Sequence, residues 1–138
     1  QQHNLIIIGA GNLGQAIANY TNFERRGFVI KGMFDINPKL IGLVIRGIEI
    51  RSVDDLEGFI KEQEIQIAAL TIPKTKAAEI ADRLVNAGIK AIWNFAHTDL
   101  VVPEDVVVEN VHLSESLMRL SYRVCSMQDH DKKKERGK

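Results

Sequence analysis

The sequence predicts an α/β domain with a doubly wound parallel β-sheet, and three observations support this prediction. Short apolar runs, typical of strands buried on both faces, alternate with segments of helical periodicity. A glycine-rich turn at residues 9–14 directly follows the first apolar run at residues 5–8. Asp35 stands at the end of the second predicted strand, about 20 residues beyond that turn. This combination is typical of the Rossmann fold, whose ligand lies at the carboxyl edge of the sheet.

The composition excludes several classes of protein. At 138 residues with 45% hydrophobic content, the chain has the size of one ordinary domain. Its 18 basic and 18 acidic residues cancel, whereas a domain that binds DNA unaided usually has a strongly basic face. One cysteine, Cys125, cannot form an internal disulfide framework, and we expect it to pack in a helix. Neither a membrane span nor a secretory signal is evident, so a cytoplasmic location is expected.

The strands are predicted to form one sheet in the order 3-2-1-4-5-6. They are expected at residues 5–8, 29–34, 48–50, 67–71, 91–95 and 106–109. Because each strand except the last is followed by a connection to a parallel neighbour, helices should cover both faces of the sheet.

Three helices are predicted between the strands. The first spans residues 13–23 and has on one side Ala16, Ile17 and Tyr20. Another begins at Ser52, whose spacing to Asp55 resembles a capping box. A third spans residues 76–87 and is stopped by Gly88.

A final helix is predicted beyond the last strand. It has one apolar face, formed by Leu113, Leu117, Leu120 and Val124. We expect the domain to comprise residues 1–126. Residues 127–138 are expected to form a disordered tail, because from residue 129 onward no apolar side chain could anchor them.

The glycine-rich turn predicts a dinucleotide site. It fits the pattern G-x-G-x-x-G with Gly9, Ala10, Gly11, Asn12, Leu13 and Gly14. The first glycine permits the tight turn, the second lets the backbone approach the pyrophosphate, and the third lets helix and strand pack closely. Asp35 should accept hydrogen bonds from the adenosine ribose, and its charge would repel a 2′-phosphate, which favours NAD over NADP. Ile36 and Lys39 lie nearby; Lys39 would weaken that preference unless it is simply a surface lysine.

Two more strand ends are expected to border the nicotinamide half of the crevice. The residues concerned are Thr71, Ile72, Pro73, Asn94, Phe95 and Ala96. A buried asparagine needs hydrogen-bond partners, and Asn94 would find them either in the cofactor carboxamide or in the loop backbone.

No catalytic constellation accompanies the predicted site. The histidines are His3, His97, His112 and His130, and none belongs to a Ser-Tyr-Lys or His-Asp arrangement. No cluster of histidines and carboxylates predicts a metal. We therefore expect binding of NAD without catalysis.

Between residues 5 and 124 the chain resembles the NAD(H)-binding C-terminal domain of the Rex redox-sensing transcriptional repressors. The specific marks are IIIGAGNLG, GMFDINPKLIG, ALTIPKTKAAEIADRLVNAGIKAIWNFA and VPEDVVVENVHLSESLMRLSY. The resemblance implies a homodimeric sensor without enzymatic activity, which binds NADH in preference to NAD⁺ and which NADH releases from operator DNA. It also implies a final helix swapped between subunits, in keeping with the apolar face described above.

The sequence departs from the family pattern at positions that matter for signalling. His112 stands where the family usually has an aspartate, which forms a switch with the tyrosine matched here by Tyr20. Leu113 stands where an aromatic residue sometimes packs near the nicotinamide, and His97 replaces a proline. The resemblance implies that His112 and Leu113 border the cofactor. His112 would then add a pH-dependent contribution, or the switch would be rewired.

Other functions stay open beside the sensor. The winged helix that reads DNA in this family is expected to lie outside the chain, either because the chain is a fragment or because the protein senses without DNA. A CoA-binding domain is one alternative, although Asp35 would offer nothing to the 3′-phosphate of CoA. The cofactor-binding half of an NAD-dependent oxidoreductase is another, and it would require a separate substrate domain.

Overall fold

The computed structural model describes residues 2–20, 22–112 and 120–128. Within them lies a sheet of seven strands, namely β1 (His3–Ile8), β2 (Phe28–Asp35), β3 (Val44–Ile45), β4 (Ile48–Ser52), β5 (Ile67–Leu70), β6 (Ala91–Asn94) and β7 (Val107–Asn110). Their order is β3-β4-β2-β1-β5-β6-β7, and every neighbouring pair is parallel except β3 with β4. The predicted order of six strands is confirmed, with β3 added at one edge.

Four α-helices connect these strands in the described part of the chain. They are α1 (Asn12–Ala18), α2 (Asn22–Arg25), α3 (Leu56–Glu62) and α4 (Lys74–Asn86), and a 3₁₀ turn at Val53–Asp55 precedes α3. None of the helices in the described ranges is both long and apolar enough to cross a membrane.

The central strand β1 contributes side chains to two cores, one on each face of the sheet. Ile6 and Ile8 lie in the core formed with α3 and α4, where Leu84 is fully buried. Leu5 and Ile7 lie in the opposite core, which includes the buried side of α1. Because both faces are covered, the strand is apolar at consecutive positions instead of alternating. Each such side chain contributes about 1.5–3 kcal/mol on burial.

The second and third predicted helices are present, although α4 begins two residues earlier than predicted, at Lys74, and ends at Asn86. Ser52 Oγ accepts a hydrogen bond from the backbone N–H of Asp54 at 3.1 Å, which caps the 3₁₀ turn that leads into α3. The chain leaves α4 through Gly88, whose φ of +106° lies in the left-handed region that glycine adopts without strain.

The prediction for the first helix was wrong beyond Ala18. The Asn19 side chain donates to the carbonyl oxygen of Gln15 at 3.0 Å and so competes for a group of the last turn. A separate short helix, α2, follows. The buried positions of α1 are Gly14, Ile17 and Ala18, whereas Tyr20 is 49% exposed and Ala16 is also exposed. Residues three and four positions after Gly14, namely Ile17 and Ala18, lie on the same helix face as Gly14. This spacing would have identified the buried face of α1.

The hairpin of β3 and β4 was not predicted. Its two-residue turn consists of Arg46 and Gly47, both with positive φ, at 49° and 79°. Positive φ at both central residues is the requirement of a type I′ turn, whose second position favours glycine. The pair Arg46-Gly47 between the apolar runs at residues 43–45 and at Ile48 was therefore the available indication of a hairpin.

Residues 120–128 are helical, which agrees with the prediction of a C-terminal helix and extends it to residue 128. Every side chain described there is exposed, including Leu120 (58%) and Val124 (45%). Leu113, Leu117 and residues 129–138 lie outside the described residues.

Candidate dinucleotide-binding site

The turn between β1 and α1 needs glycine for two different reasons. Gly9 has a φ of +107°, and a Cβ on it would lie 2.5 Å from Thr71 Oγ1. A Cβ on Gly14 would overlap the carbonyl oxygen of Gly9, so the helix can approach the strand only without a side chain there. Gly11 is different, because nothing lies within 4 Å of the place where its Cβ would be. The open space above Gly11 is where a ligand could approach the backbone.

Asp35 fixes this turn from the end of β2. Its Oδ2 accepts a hydrogen bond from the backbone N–H of Ala10 at 2.7 Å, and its Oδ1 accepts one from Asn37 at 2.8 Å. Since a carboxylate oxygen has two acceptor positions, each oxygen can still accept a bond from a ligand hydroxyl. Ala10 is fully buried, so its contribution to the site is this bond.

Thr71, at the end of β5, holds the other side of the turn. Its hydroxyl lies 3.0 Å from the carbonyl oxygen of Ile8 and 2.9 Å from that of Gly9, and its backbone N–H donates to Ile8 as well. Thr71 therefore positions the glycine-rich turn, in addition to bordering the crevice.

A cleft of about 310 Å³ opens beside the turn at the carboxyl edge of the sheet. The sequence-predicted residues that it brings together are Gly9, Gly11, Asp35, Ile36, Thr71, Ile72 and Pro73. Lys39 does not line it; this lysine is exposed, and its backbone N–H donates to Asn37 Oδ1 in the following turn. Asn12 is exposed at the start of α1, and Leu13 packs against the core on that side.

One wall of the cleft was not predicted from the sequence. That wall is formed by Val53, Lys76, Glu79, Ile80 and Arg83. Four of these lie on α4 at spacings of three and four residues, so they share one helix face. The spacing is visible in the sequence, but polar residues on a helix are usually assigned to solvent.

Arg83 is anchored by a bidentate ion pair with Glu57 of α3. Arg83 Nη2 lies 2.8 Å from Glu57 Oε2 and 2.6 Å from the carbonyl oxygen of Val53. The hydrogen bond from Arg83 lowers the pKa of Glu57 below its ordinary value, and the same bond raises the pKa of Arg83. The pair ties α3 to α4 at the edge of the cleft.

A second cavity, of about 220 Å³, lies at the carboxyl ends of β6 and β7. Its lining residues are Asn94, His97, Thr98, Asp99, Asn110, Val111 and His112. The ring centroids of His97 and His112 are 6.0 Å apart. Of the described residues predicted to border the nicotinamide half, Asn94 and His112 line this cavity.

The partners of Asn94, which is only 2% exposed, lie in the protein itself. Its amide nitrogen donates to the carbonyl oxygen of Thr98 at 2.8 Å and to Asn110 Oδ1 at 2.9 Å. Its amide oxygen accepts from the backbone N–H of Ala96 at 3.0 Å. The loop backbone and the Asn110 side chain of β7 therefore supply partners to Asn94.

Phe95 and Tyr20 lie away from both cavities. Phe95 packs on Trp93 with ring centroids 4.7 Å apart, in the core on the α1 side. Tyr20 stacks edge to face on Phe23 at 4.7 Å, and it borders a smaller cavity of about 100 Å³ between α1, α2 and β2. Ala96 is buried.

No group of three or more histidine, cysteine, aspartate or glutamate side chains in the described ranges could hold a metal ion. At the carboxyl edge of the sheet, the features that could receive a ligand are the open backbone at Gly11, the carboxylate of Asp35 and the cavities of about 310 Å³ and 220 Å³. Together they suit a dinucleotide that extends along the carboxyl edge of the sheet.

This fold and site define a nucleotide-binding domain of the Rossmann type, and comparison with known families agrees. The family model described as CoA binding domain matches residues 1–98, and the chain belongs to that family. Within this class, it is similar to the redox-sensing transcriptional repressor Rex of Caldanaerobacter subterraneus subsp. tengcongensis. The two are 63% identical over 122 residues, which make up 88% of this chain and 54% of that protein. The chain thus spans about half the length of the curated relatives it matches.

Solved structures of RSP, a Rex-family repressor, have the same fold. RSP in complex with β-NADH matches with a TM-score of 0.84 and 59% identity, over 95% of this chain and 63% of that one. RSP in complex with β-NAD⁺ and operator DNA also matches with a TM-score of 0.84 and 59% identity, over 96% of this chain and 61% of that one. The resemblance to Rex predicted from the sequence is confirmed.

Proposed function

We propose that this chain is the NAD(H)-binding sensor domain of a redox-sensing transcriptional repressor whose DNA binding is released by NADH. The observation that supports this most directly is the Asp35 carboxylate, held on Ala10 N–H beside the open backbone of Gly11. The similarity to RSP, which has been crystallised with NADH and with NAD⁺ and operator DNA, supports the same function. Such a protein would work in the cytoplasm.

The adenosine half of the cofactor would occupy the 310 Å³ cleft. Asp35 would accept hydrogen bonds from the ribose hydroxyls, and Val53, Ile72 and Ile80 would provide an apolar surface for the adenine. The pyrophosphate would run along the backbone of residues 11–13, because no side chain at Gly11 stands in its way.

The nicotinamide half would extend toward the ends of β5 and β6. Pro73 borders this path, and Asn94 shapes it by holding the loop at residues 95–98 in place. His112 would stand near the far end of the path. In this role the domain needs no catalytic residue, because a ligand that binds one of two conformations of a repressor more tightly shifts the equilibrium between them.

The description of the matching family favours CoA as a second candidate ligand. CoA and NAD share an adenosine diphosphate, so the glycine-rich turn suits both. They differ at the ribose, where CoA has a 3′-phosphate that the Asp35 carboxylate would repel. We therefore favour NAD(H).

The test is isothermal titration of the purified chain with NADH, NAD⁺ and CoA. We expect NADH to bind most tightly, NAD⁺ more weakly, and CoA not to displace NADH at equal concentration. Equal affinities for NADH and NAD⁺ would contradict a redox sensor, and displacement of NADH by CoA would favour the second candidate. Binding of none of the three would contradict both.

We further propose that the domain acts as a homodimer. A cleft of about 300 Å³ lies on the sheet face opposite α4, and its lining is almost wholly apolar, with Phe23, Phe28, Trp93 and Val107. The C-terminal helix exposes Leu120 and three further apolar side chains, Tyr122, Val124 and Met127. Two apolar surfaces on one chain suit association with a second copy, in which each helix covers the other subunit.

A further inference from the structure

Arg83 of α4 lines the 310 Å³ cleft but has no role in the binding mode proposed above. Its Nη2 lies 2.6 Å from the carbonyl oxygen of Val53. Ile80 precedes it by three residues, so the two share one face of α4. Val53 and Ile80 also line the cleft. Arg83 therefore stands beside the apolar surface that is proposed for the adenine.

The register of the sheet places this surface next to the proposed site of the ribose. Asp35 at the end of β2 pairs with Ser52 at the end of β4, so Val53 follows beside Asp35 at the same edge of the sheet. From the open backbone of Gly11, the cleft thus leads past Asp35 to Val53 and Arg83. A dinucleotide with its pyrophosphate at Gly11 and its ribose at Asp35 has its adenine at this end.

The guanidinium of Arg83 is fixed in one orientation through its edge. Nε and Nη2 donate to the two carboxylate oxygens of Glu57, and Nη2 also donates to the carbonyl oxygen of Val53. Such bonds lie in the plane of the guanidinium group, so they do not cover its two flat faces. The Arg83 side chain is 30% exposed. A fixed, flat and partly exposed cation of this kind is suited to stacking on an aromatic ring.

The ion pair favours a base over a phosphate as the ligand of Arg83. Because Glu57 balances the charge of the guanidinium, Arg83 attracts a pyrophosphate less than an unpaired cation would. Stacking remains possible, since it uses the faces of the group and Glu57 occupies an edge. Arg51 makes a contact of this kind within the chain, with its Cζ 5.2 Å from the centre of the Phe59 ring.

We propose that Arg83 is a binding residue for the adenine base, which stacks on the guanidinium beside Val53 and Ile80. This rests on the proposed function, in which the adenosine half of the cofactor occupies the cleft. Glu57 is the positioning residue, because its bidentate pair holds the guanidinium in place. The wall on α4 then recognises the adenine, while Asp35 recognises the ribose.

The test is isothermal titration of the full chain with ADP-ribose, which retains the adenosine diphosphate half of the cofactor and lacks the nicotinamide. A cation on an aromatic ring at a partly exposed site changes a dissociation constant about two- to fivefold. We therefore expect the Kd for ADP-ribose to rise about threefold or more in Arg83→Met. Arg83→Lys should show nearly the same rise, because lysine can still pair with Glu57 but has no flat group to stack on the base.

Lys74→Met is the matched control for the loss of a positive charge. Lys74 is exposed at the start of α4 and does not line the cleft, so its replacement should leave the Kd for ADP-ribose unchanged. Titrations at about 0.1 M and about 0.5 M NaCl separate the base from the phosphates, since salt screens an ion pair with a phosphate more than a stacking contact. The rise in Arg83→Met should therefore persist at the higher salt concentration.

Three results would overturn the inference while the proposed function stands. The first is binding of ADP-ribose by Arg83→Met as tight as that of the wild type. The second is wild-type affinity in Arg83→Lys, since the ion pair alone would then suffice. The third is an effect of Arg83→Met that disappears at the higher salt concentration, which would assign Arg83 to the phosphates. Absence of binding of both ADP-ribose and NADH by the wild type would contradict the proposed function as well.

Discussion

Asp35 connects the glycine-rich turn to the ligand through the two oxygens of one carboxylate. Its role toward the ribose was predictable from the sequence, because an acidic residue ending the second strand is part of the dinucleotide pattern. Its hydrogen bond to Ala10 was not predictable, since it depends on how the turn folds back over the end of β2. The same applies to Thr71, whose hydroxyl bonds join residues far apart in sequence.

Replacement of Asp35 by asparagine tests both roles at once. The amide has a single acceptor oxygen, so one of its two backbone partners, Ala10 or Asn37, would face an amide N–H instead. An unsatisfied group of this kind costs about 1–3 kcal/mol. We expect the affinity for NADH to fall about tenfold or more and the preference for NADH over NADPH to shrink, because the carboxylate no longer repels a 2′-phosphate. Titration calorimetry with both cofactors measures this.

Asp82→Asn is the matched control for Asp35→Asn. Asp82 is an exposed carboxylate on α4 that does not line the cleft, so its replacement should leave both affinities unchanged. If Asp35→Asn bound NADH as tightly as the wild type, the assignment of the ribose to this carboxylate would be wrong.

At the scale of elements, the periodicity of apolar residues predicted which segments form helices. It predicted the residues at which those helices end less well. The segment at 74–86 has apolar residues at helical spacing for more than three turns, so its helix was found almost complete. α1 is only two turns long, and at its end the Asn19 side chain bonds the carbonyl oxygen of Gln15. The wall of the cleft on α4 was overlooked because polar residues on a helix are usually assigned to solvent. Arg83 faces α3 instead, where Glu57 neutralises it.

The ion pair between α3 and α4 should make stability depend on pH. The pKa of Glu57 in the folded chain is below its ordinary value of 4.5, and the first cause is the hydrogen bond from Arg83. Its stabilising contribution is therefore present above pH 4.5 and is lost as pH falls through the lower folded value. With Arg83 30% and Glu57 44% exposed, solvent screening limits the contribution to about 1 kcal/mol. Glu57→Gln should lower the free energy of unfolding at pH 7 by up to that amount and by less at pH 3.

Chemical denaturation of wild type and variant at both values of pH measures this difference. Lys90 and Asp105 provide the control, because their 3.6 Å pair is 66% and 72% exposed. Asp105→Asn should change the free energy of unfolding little at either pH. An effect of Glu57→Gln that is as large at pH 3 as at pH 7 would mean that packing, and not the ion pair, is lost.

At the scale of the whole molecule, the topology followed from the sequence, but the exposed surfaces did not. Alternation of buried-type strands with helices restricts a chain to few sheet orders, and the glycine-rich turn selects the strand that stands at the centre. The strand β3 lies at the edge of the sheet and pairs with β4 in an antiparallel hairpin, so the alternation of strands with helices does not predict it. The connection from β6 to β7 has no helix, and the described residues leave the sheet face around Trp93 and Val107 open. Only the three-dimensional arrangement shows that opening.

The open face leads to a prediction about assembly. If a second copy covers it, a charge placed there must be buried without a partner when the dimer forms. Val107 suits this test because it lines the apolar cleft and is 64% exposed in the single chain, so Val107→Glu should leave the monomer folded. We expect a dimer for the wild type in sedimentation equilibrium and at least a tenfold weaker dimer for the variant. Val101→Glu, at a position 93% exposed and outside the cleft, should associate as the wild type does. A monomeric wild type, or equal association of the two variants, would rule out this face as the interface.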